Sequence, residues 1–274
     1  MQKIDYKTAI TPVRTTPLST SPHHIFVATP VHSDVSIHYC QGLIVFQGEC
    51  FKKGIKVTFQ IMKSSLVTQG RNLCVGEFLS NKTATHLLFV DSDIEFHPKT
   101  IWKMLEYDKE VISAPYPLKT VNWEKAYTKV KNGEIKSQKD LEKSIYSYPL
   151  KMKDNNKIEI KKETPGLIEV SHSPTGCMLI KRQVFDKMIK AYPDKGIVQN
   201  TVINGKIEEK PNMWNFFDTL HDPVLKTYLG EDFAFCKLWK DIGGKCYAYV
   251  NHPVTHAGEF EYEGCFADEL ILNK

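Results

Sequence analysis

Hydrophobic positions along this chain change period in a repeating order. Residues 25–29 (IFVAT) form a short apolar run that Pro30 ends, which predicts a strand. Ser33 or Asp34 can cap a helix after it. Tyr39, Leu43, Phe46 and Cys50 recur at spacings of four, three and four, one face of a helix that Gly54 closes. Residues 55–62 (IKVTFQIM) alternate and predict a second strand; after the loop KSSLVTQG a helix is expected near 71–80. Residues 86–90 (HLLFV) hardly alternate, so the third strand is expected to be buried on both faces. Pro98 suits the first turn of a helix with Ile101, Met104 and Leu105 turned inward, and 111–114 (VISA) reads as a fourth strand stopped by Pro115.

This rhythm of strand and helix predicts a mostly parallel α/β sheet flanked by helices, in which ligands sit beyond the carboxyl ends of the strands. Thr29-Pro30, residues 63–70 and Asp91-Ser92-Asp93 all fall on that edge. The pattern then breaks. Residues 119–165 carry twelve lysines and seven acids and are expected as an insertion of loops and edge strands. It reads either as a solvated excursion or as a flap or acceptor surface. Strands are expected again at 167–171 and 176–180, and a helix at 182–191. A loop rich in Pro, Asn and aromatic residues spans 192–229. Gly230-Glu231-Asp232 opens a helix with Phe235, Leu238, Trp239 and Ile242 on one face. Gly243-Gly244 closes it, and 245–250 is read as the final strand.

Composition narrows the picture only moderately. The 274 residues are 42% hydrophobic and 25% charged, enough for a sizeable core without disulfide or metal staples. The net charge of +4 is too weak to argue for nucleic acid. Seven cysteines, an odd number with no CxxC pair, speak against a zinc ribbon and a secreted disulfide framework, and fit a reducing compartment. No run approaches 18 apolar residues and the N-terminus has no apolar signal core, so a soluble cytoplasmic protein without a transmembrane segment is expected.

The chemistry concentrates in LLFVDSDIEF, residues 87–96, where an apolar strand runs into two carboxylates one residue apart. On a turn such a pair can converge on one hard cation, and oxygen ligands suit Mg²⁺ or Mn²⁺ bridging to substrate phosphates. Two solvated loop acids are the plain alternative. HLLFVDSDIEF followed by a helix and VISAPYP, then PTGCMLIKRQVF and GEDFAFCKLWKDIGGKCYAYVNHPVTHAGE, resembles the GT-A-fold glycosyltransferases near the broad family 2 group, in that order over residues 24 to 260.

The resemblance implies a divalent metal, Mn²⁺ or Mg²⁺, holding the diphosphate of a UDP- or GDP-sugar, and transfer to a carbohydrate or glycoconjugate acceptor. It divides the chain into a flexible lead-in over 1–22, a nucleotide-binding half over 23–118, the insertion 119–165, an acceptor-side half over 166–260 and a tail over 261–274. It assigns the metal to Asp91, Asp93 and His256, with His252 as the alternative histidine. Asp232 becomes the general base if the reaction inverts, kept ionised by its helix N-terminus, and an acceptor-binding group if the reaction retains. Thr29, Pro30, Arg71, Asp91, Ser92, Gly176 and Glu231 are placed toward the donor. Trp214, Phe216 and Phe217 either stack on sugars or fill the core.

Two other readings remain open at this level. A non-catalytic nucleotide-sugar or glycan-binding module predicts binding without turnover. A DxD phosphatase predicts Asp91 as a nucleophile, although two strand-helix units precede the pair here.

Overall fold

The computed structural model describes residues 21–153, 162–203, 206–223, 226–258 and 261–272; the expected lead-in, up to residue 20, lies outside them. The first half follows the expected rhythm: β1 (His24–Val31), α1 (Ile37–Lys53), β2 (Lys56–Lys63), α2 (Val67–Ser80), β3 (His86–Val90), β4 (Ile94–Phe96), α3 (Pro98–Glu106) and β5 (Val111–Ser113). Local chemistry sets the helix ends. Ser36 Oγ accepts the Tyr39 N–H at 3.0 Å to start α1, and Gly54 at φ 64° ends it. The helix expected near 71–80 begins earlier, at Val67, so Arg71 lies inside it.

The second half adds α4 (Trp123–Lys131), α5 (Gln138–Ser144), β6 (Lys151–Met152), β7 (Leu167–His172), β8 (Cys177–Lys181), α6 (Arg182–Ala191), β9 (Gln199–Ile203), β10 (Lys206–Lys210), β11 (Leu220–Asp222), β12 (Thr227–Leu229), α7 (Glu231–Asp241), β13 (Cys246–Tyr249), β14 (Val254–Ala257), β15 (Glu261–Gly264) and α8 (Phe266–Leu272). Eight strands make one sheet in the order β2-β1-β3-β8-β5-β13-β7-β6. Six run one way; β7 and β8 run the other. The architecture is therefore α/β with a mostly parallel central sheet flanked by helices.

Both faces of the sheet are covered, which explains why β3 does not alternate. Leu87 and Phe89 enter a core with Phe26, Phe78, Phe185, Phe217, Phe235 and Trp239 on the α2, α6 and α7 side. Leu88 and Val90 enter the opposite core with Tyr39, Phe46, Ile101 and Met104 on the α1 and α3 side. Phe216 and Phe217 are fully buried, and Trp214 is partly so, stacked on Phe216 at 5.8 Å. All seven cysteines are free thiols.

Three regions depart from the sequence reading. The insertion is mainly helical: Asn122 and Ser137 cap α4 and α5 by accepting the N–H groups of Lys125 and Asp140. Lys125 and Lys143 pair with Glu269 and Asp268 of α8, so ion pairs to a distant helix supply part of the support that its own sparse apolar pattern lacks. The loop expected over 192–229 contains two antiparallel hairpins, β9–β10 and β11–β12. The residues expected as a tail form β15 and α8. β14 pairs with both β15 and β4, and Phe266 and Leu270 of α8 are buried in the core.

Candidate active site

At the end of β3 the chain turns sharply, with the Ile94 N–H donating to Asp91 O at 3.0 Å. Three other segments fix this turn through the backbone. Asp91 N–H donates to Gly176 O at 3.0 Å, Ser36 N–H to Ser92 O at 2.8 Å, and Ala257 N–H to Asp93 O at 2.7 Å. The two carboxylates then leave in different directions and meet different partners.

Asp91 meets Arg71. The guanidinium reaches its two oxygens at 2.9 and 3.0 Å and, through Nε, Glu231 at 3.1 Å. Arg71 is only 2% exposed and lies 5.2 Å from the Phe89 ring centroid. Burial alone would make its charge harder to hold; Asp91 first, then Glu231, reverse that. One buried cation thus ties the β3 turn to the first turn of α7.

Asp93 meets His256 and Lys119. β14 sets His256 opposite Ile94 of β4, and its Nε2 lies 3.3 Å from Asp93 Oδ2. The other ring nitrogen, Nδ1, is 2.8 Å from the Pro117 carbonyl, which can only accept, so Nδ1 carries the hydrogen. In the neutral ring the Nε2 lone pair then faces a carboxylate oxygen, an arrangement that calls for a proton or a cation between them. Lys119 Nζ supplies one positive charge, ion-paired with the same Oδ2. Burial pushes the Asp93 carboxyl up, but a hydrogen bond from His256, which Nε2 can donate only when the ring is protonated, and one from Lys119 outweigh it and leave it below the usual aspartate range.

Asp232 opens α7 and accepts the Phe233 N–H at 2.7 Å on Oδ1. The helix terminus was expected to keep this group readily ionised. Instead burial, with Glu231 beside it, raises it to about 6, and the Phe233 hydrogen bond and Arg71 offset this only in part. The buried Tyr116 shares this electrostatic environment. Burial, and Asp91 after it, push its phenol well above the ordinary value, so it stays protonated. Its ring stands edge-on to His256 at 4.9 Å. It also explains Gly176: a Cβ there would come within 2.6 Å of the Tyr116 ring and hydroxyl.

Alongside the turn lies a crevice of about 490 Å³ lined by Pro30, Val31, Ser64, Asp91, Ser92 and Asp93, among others. It sits at the carboxyl ends of β1, β2 and β3, the edge where the sequence placed it. Arg71, Asp91, Ser92, Asp93, Gly176, Glu231, Asp232 and His256 all gather at this edge. Thr29, expected to meet the nucleotide through its backbone, turns its hydroxyl inward, where it is buried against Tyr39 Oη at 2.6 Å. His252 stacks on His97 at 5.3 Å instead of joining Asp93. Among the described residues no group of three His, Cys, Asp or Glu side chains is placed to hold a metal ion. The expected trio reduces to the Asp93–His256 pair, with Asp91 engaged by Arg71. Tyr116, Pro117 and Lys119 escaped the sequence reading; the signal available was a tyrosine between two prolines, APYP, just after a strand at the ligand edge.

No family model matches the chain, and no curated protein does. Among solved structures, A197 from STIV is 18% identical, with 86% of each chain covered and a TM-score of 0.46. A glycosyltransferase involved in the glycosylation of the major capsid of PBCV-1 is 10% identical over 63% of this chain and 67% of that one, with a TM-score of 0.32. Neither likeness speaks for this chain's chemistry. Among the described residues no helix is long and apolar enough to cross a membrane.

Proposed function

We propose that this protein is a metal-dependent glycosyltransferase of GT-A type that moves a sugar from a nucleoside-diphosphate sugar to a hydroxyl acceptor. The observation that carries this reading is the Asp93–His256 pair. A carboxylate and an imidazole of fixed tautomer converge to 3.3 Å beside an open crevice, with a second carboxylate raised to about 6 at the same edge.

The donor set fits Mn²⁺ or Mg²⁺. Such ions take one or two protein ligands and fill their remaining positions with phosphate oxygens and water. Asp93 Oδ2 and His256 Nε2 would hold the ion, and Pro117 O would orient the imidazole from behind. When bound, the ion neutralises charge on the departing diphosphate. Lys119, which pairs with Asp93 Oδ2, would release it to the ion and turn its charge to the diphosphate. The crevice at Pro30, Val31 and Ser64 takes the nucleoside. Arg71, by gripping Asp91 and Glu231 together, positions the start of α7 against the β3 turn.

Asp232 receives the proton of the attacking acceptor hydroxyl. A carboxyl titrating near 6 is ionised at neutral pH and accepts a proton more readily than an ordinary aspartate. In this reading the sugar is transferred with inversion, since Asp232 acts as base and no nucleophile is required. The phosphatase reading fits less well, because both oxygens of Asp91 are engaged by a buried arginine and are not free to attack phosphorus.

A thermal-shift series with UDP, GDP, CMP and their sugar conjugates, each with Mn²⁺, Mg²⁺ or EDTA, tests the proposal. One nucleotide should stabilise the protein, and EDTA or Asp93→Ala should remove the effect. Asp232→Asn should keep donor binding and lose transfer. Nucleotide stabilisation indifferent to EDTA and to Asp93→Ala would overturn the metal assignment. Binding without turnover in the unsubstituted protein would leave the binding-module reading in its place.

A further inference from the structure

The insertion and the C-terminal segment enclose a cavity that the proposed chemistry does not use. It measures about 540 Å³, against about 490 Å³ for the crevice beside Asp93, and so falls in the size range of small-molecule sites. Lys139, Tyr146 and Tyr148 line it from the insertion, and Pro253, Glu263 and Asp268 from the chain after β13. Its walls are held by contacts within the chain. Lys143 bridges α5 to Asp268 of α8 at 2.9 Å, Lys125 of α4 pairs with Glu269, and the Tyr148 ring stands edge-on to Phe266 at 5.1 Å. Tyr148 reaches its place because residue 264 is glycine; a Cβ there would overlap its hydroxyl. The register of β15 on β14 sets Gly264 opposite Val254, two residues, or roughly 7 Å of strand, from His256. Pro117, whose ring is 3.6 Å from that same Cβ position, is also the residue whose carbonyl orients His256. The cavity therefore adjoins the support of the Asp93–His256 pair.

The chemistry of the lining is mixed. Two tyrosine rings and Pro253 supply apolar faces. Lys139 can only donate hydrogen bonds and Glu263 only accept them; both are exposed, and neither has an ion-pair partner among the described residues. Tyr148 adds a phenol whose ionisation burial pushes up, so it stays protonated, and its hydroxyl has no hydrogen-bond partner among the described residues. Sugar hydroxyls donate and accept at once, so a ligand dense in them can satisfy all three groups while its C–H faces lie on the tyrosine rings. A phosphate fits less well, because Lys139 and Lys143 meet three carboxylates there, Glu142, Glu263 and Asp268. We infer that this cavity is a carbohydrate-binding site for neutral sugar units. Its place beside the support of His256 suits the acceptor, gripped through units that do not react. That role rests on the transferase reading; sugar binding itself does not.

Saturation-transfer NMR on the full chain tests the inference, in EDTA and without nucleotide. The probes are glucose, galactose, mannose, N-acetylglucosamine, cellobiose and lactose. At least one should bind. Glu263→Gln and Lys139→Gln, both at exposed positions, should each weaken that binding about fivefold or more. Tyr148→Phe, which keeps the ring on Phe266 and removes only the hydroxyl, should do the same. Asp93→Ala should leave it unchanged. In a transfer assay with that sugar as acceptor, Glu263→Gln should raise the acceptor KM about fivefold and leave kcat and donor affinity as they are. Binding of no probe overturns the inference, as does binding indifferent to all three cavity variants. Loss of binding in Asp93→Ala assigns the sugar to the crevice and overturns it too, and so does displacement of the sugar by inorganic phosphate. Sugar binding that passes these tests in a protein without metal-dependent nucleotide binding upholds the cavity and removes the transferase reading. Nucleotide binding with Mn²⁺ but no sugar binding removes the cavity's role alone.

Discussion

Asp232 is held in the fold at a cost, and removing its charge should reveal that cost. Its carboxyl is raised from 3.8 to about 6, so the folded protein keeps this proton to a higher pH than the unfolded chain does. Below pH 3.8 the group is neutral in both states and contributes nothing. As pH rises toward 6 the unfolded state gains the more favourable ionisation, and stability falls across that window, then levels off. The difference corresponds to ~3 kcal/mol at 1.36 kcal/mol per pH unit, an upper value because the side chain keeps some contact with water. Asp232→Asn removes the charge while its amide oxygen can still accept the Phe233 N–H. The variant should therefore be more stable than the parent by about 2 kcal/mol at pH 7 to 8, and equal to it near pH 4. Urea denaturation at pH 4, 6 and 8 measures this, and the matching rise in melting temperature is about 4–8 °C. A stabilisation of equal size at pH 4 and pH 8 would refute the electrostatic account. A loss of stability at pH 8 would mean that the carboxylate is favourably placed.

The transfer rate under saturating donor should rise with pH to a plateau, with its midpoint near 6; a flat profile between pH 5 and 8 removes Asp232 from the role of base. Arg71→Met leaves the carboxylates of Asp91 and Glu231 without their shared cation, and urea titration should show a loss of about 3–5 kcal/mol. A loss below about 1 kcal/mol would mean water replaces the guanidinium. Gly176→Ala drives a methyl into the Tyr116 ring and should cost about 1–3 kcal/mol by the same assay; a neutral result would mean that the Tyr116 ring moves aside easily.

Much of the fold was legible in the chain. Helical and two-residue periodicities record which side of an element is buried, and burial on both sides of β3 is written directly as HLLFV without alternation. Gly54 marked the end of α1, and Asp232 was placed correctly in the first turn of its helix; the cap of α1, expected at Ser33 or Asp34, is Ser36, whose hydroxyl is the one that reaches the Tyr39 N–H. The insertion was not legible as helices. The described faces of α4 and α5 bury few residues, Ala126 and Lys129 in α4 and Ser144 in α5, and their ion pairs reach to α8 more than a hundred residues away.

The acid pair divides the same way. Sequence determined that Asp91 and Asp93 end a buried strand at the ligand edge, because an apolar run leading into a polar turn is a local pattern. It did not determine their partners. Arg71 reaches Asp91 from 20 positions away and Glu231 from 160, and His256 arrives beside Asp93 only through the pairing of β14 with β4. Nor did it determine the state of Asp232, where desolvation in the assembled site outweighs the helix terminus. Periodicity is a property of neighbours along the chain. Which charge meets which, and how much water each keeps, depends on the packing of elements far apart in sequence, and only the tertiary structure decided it.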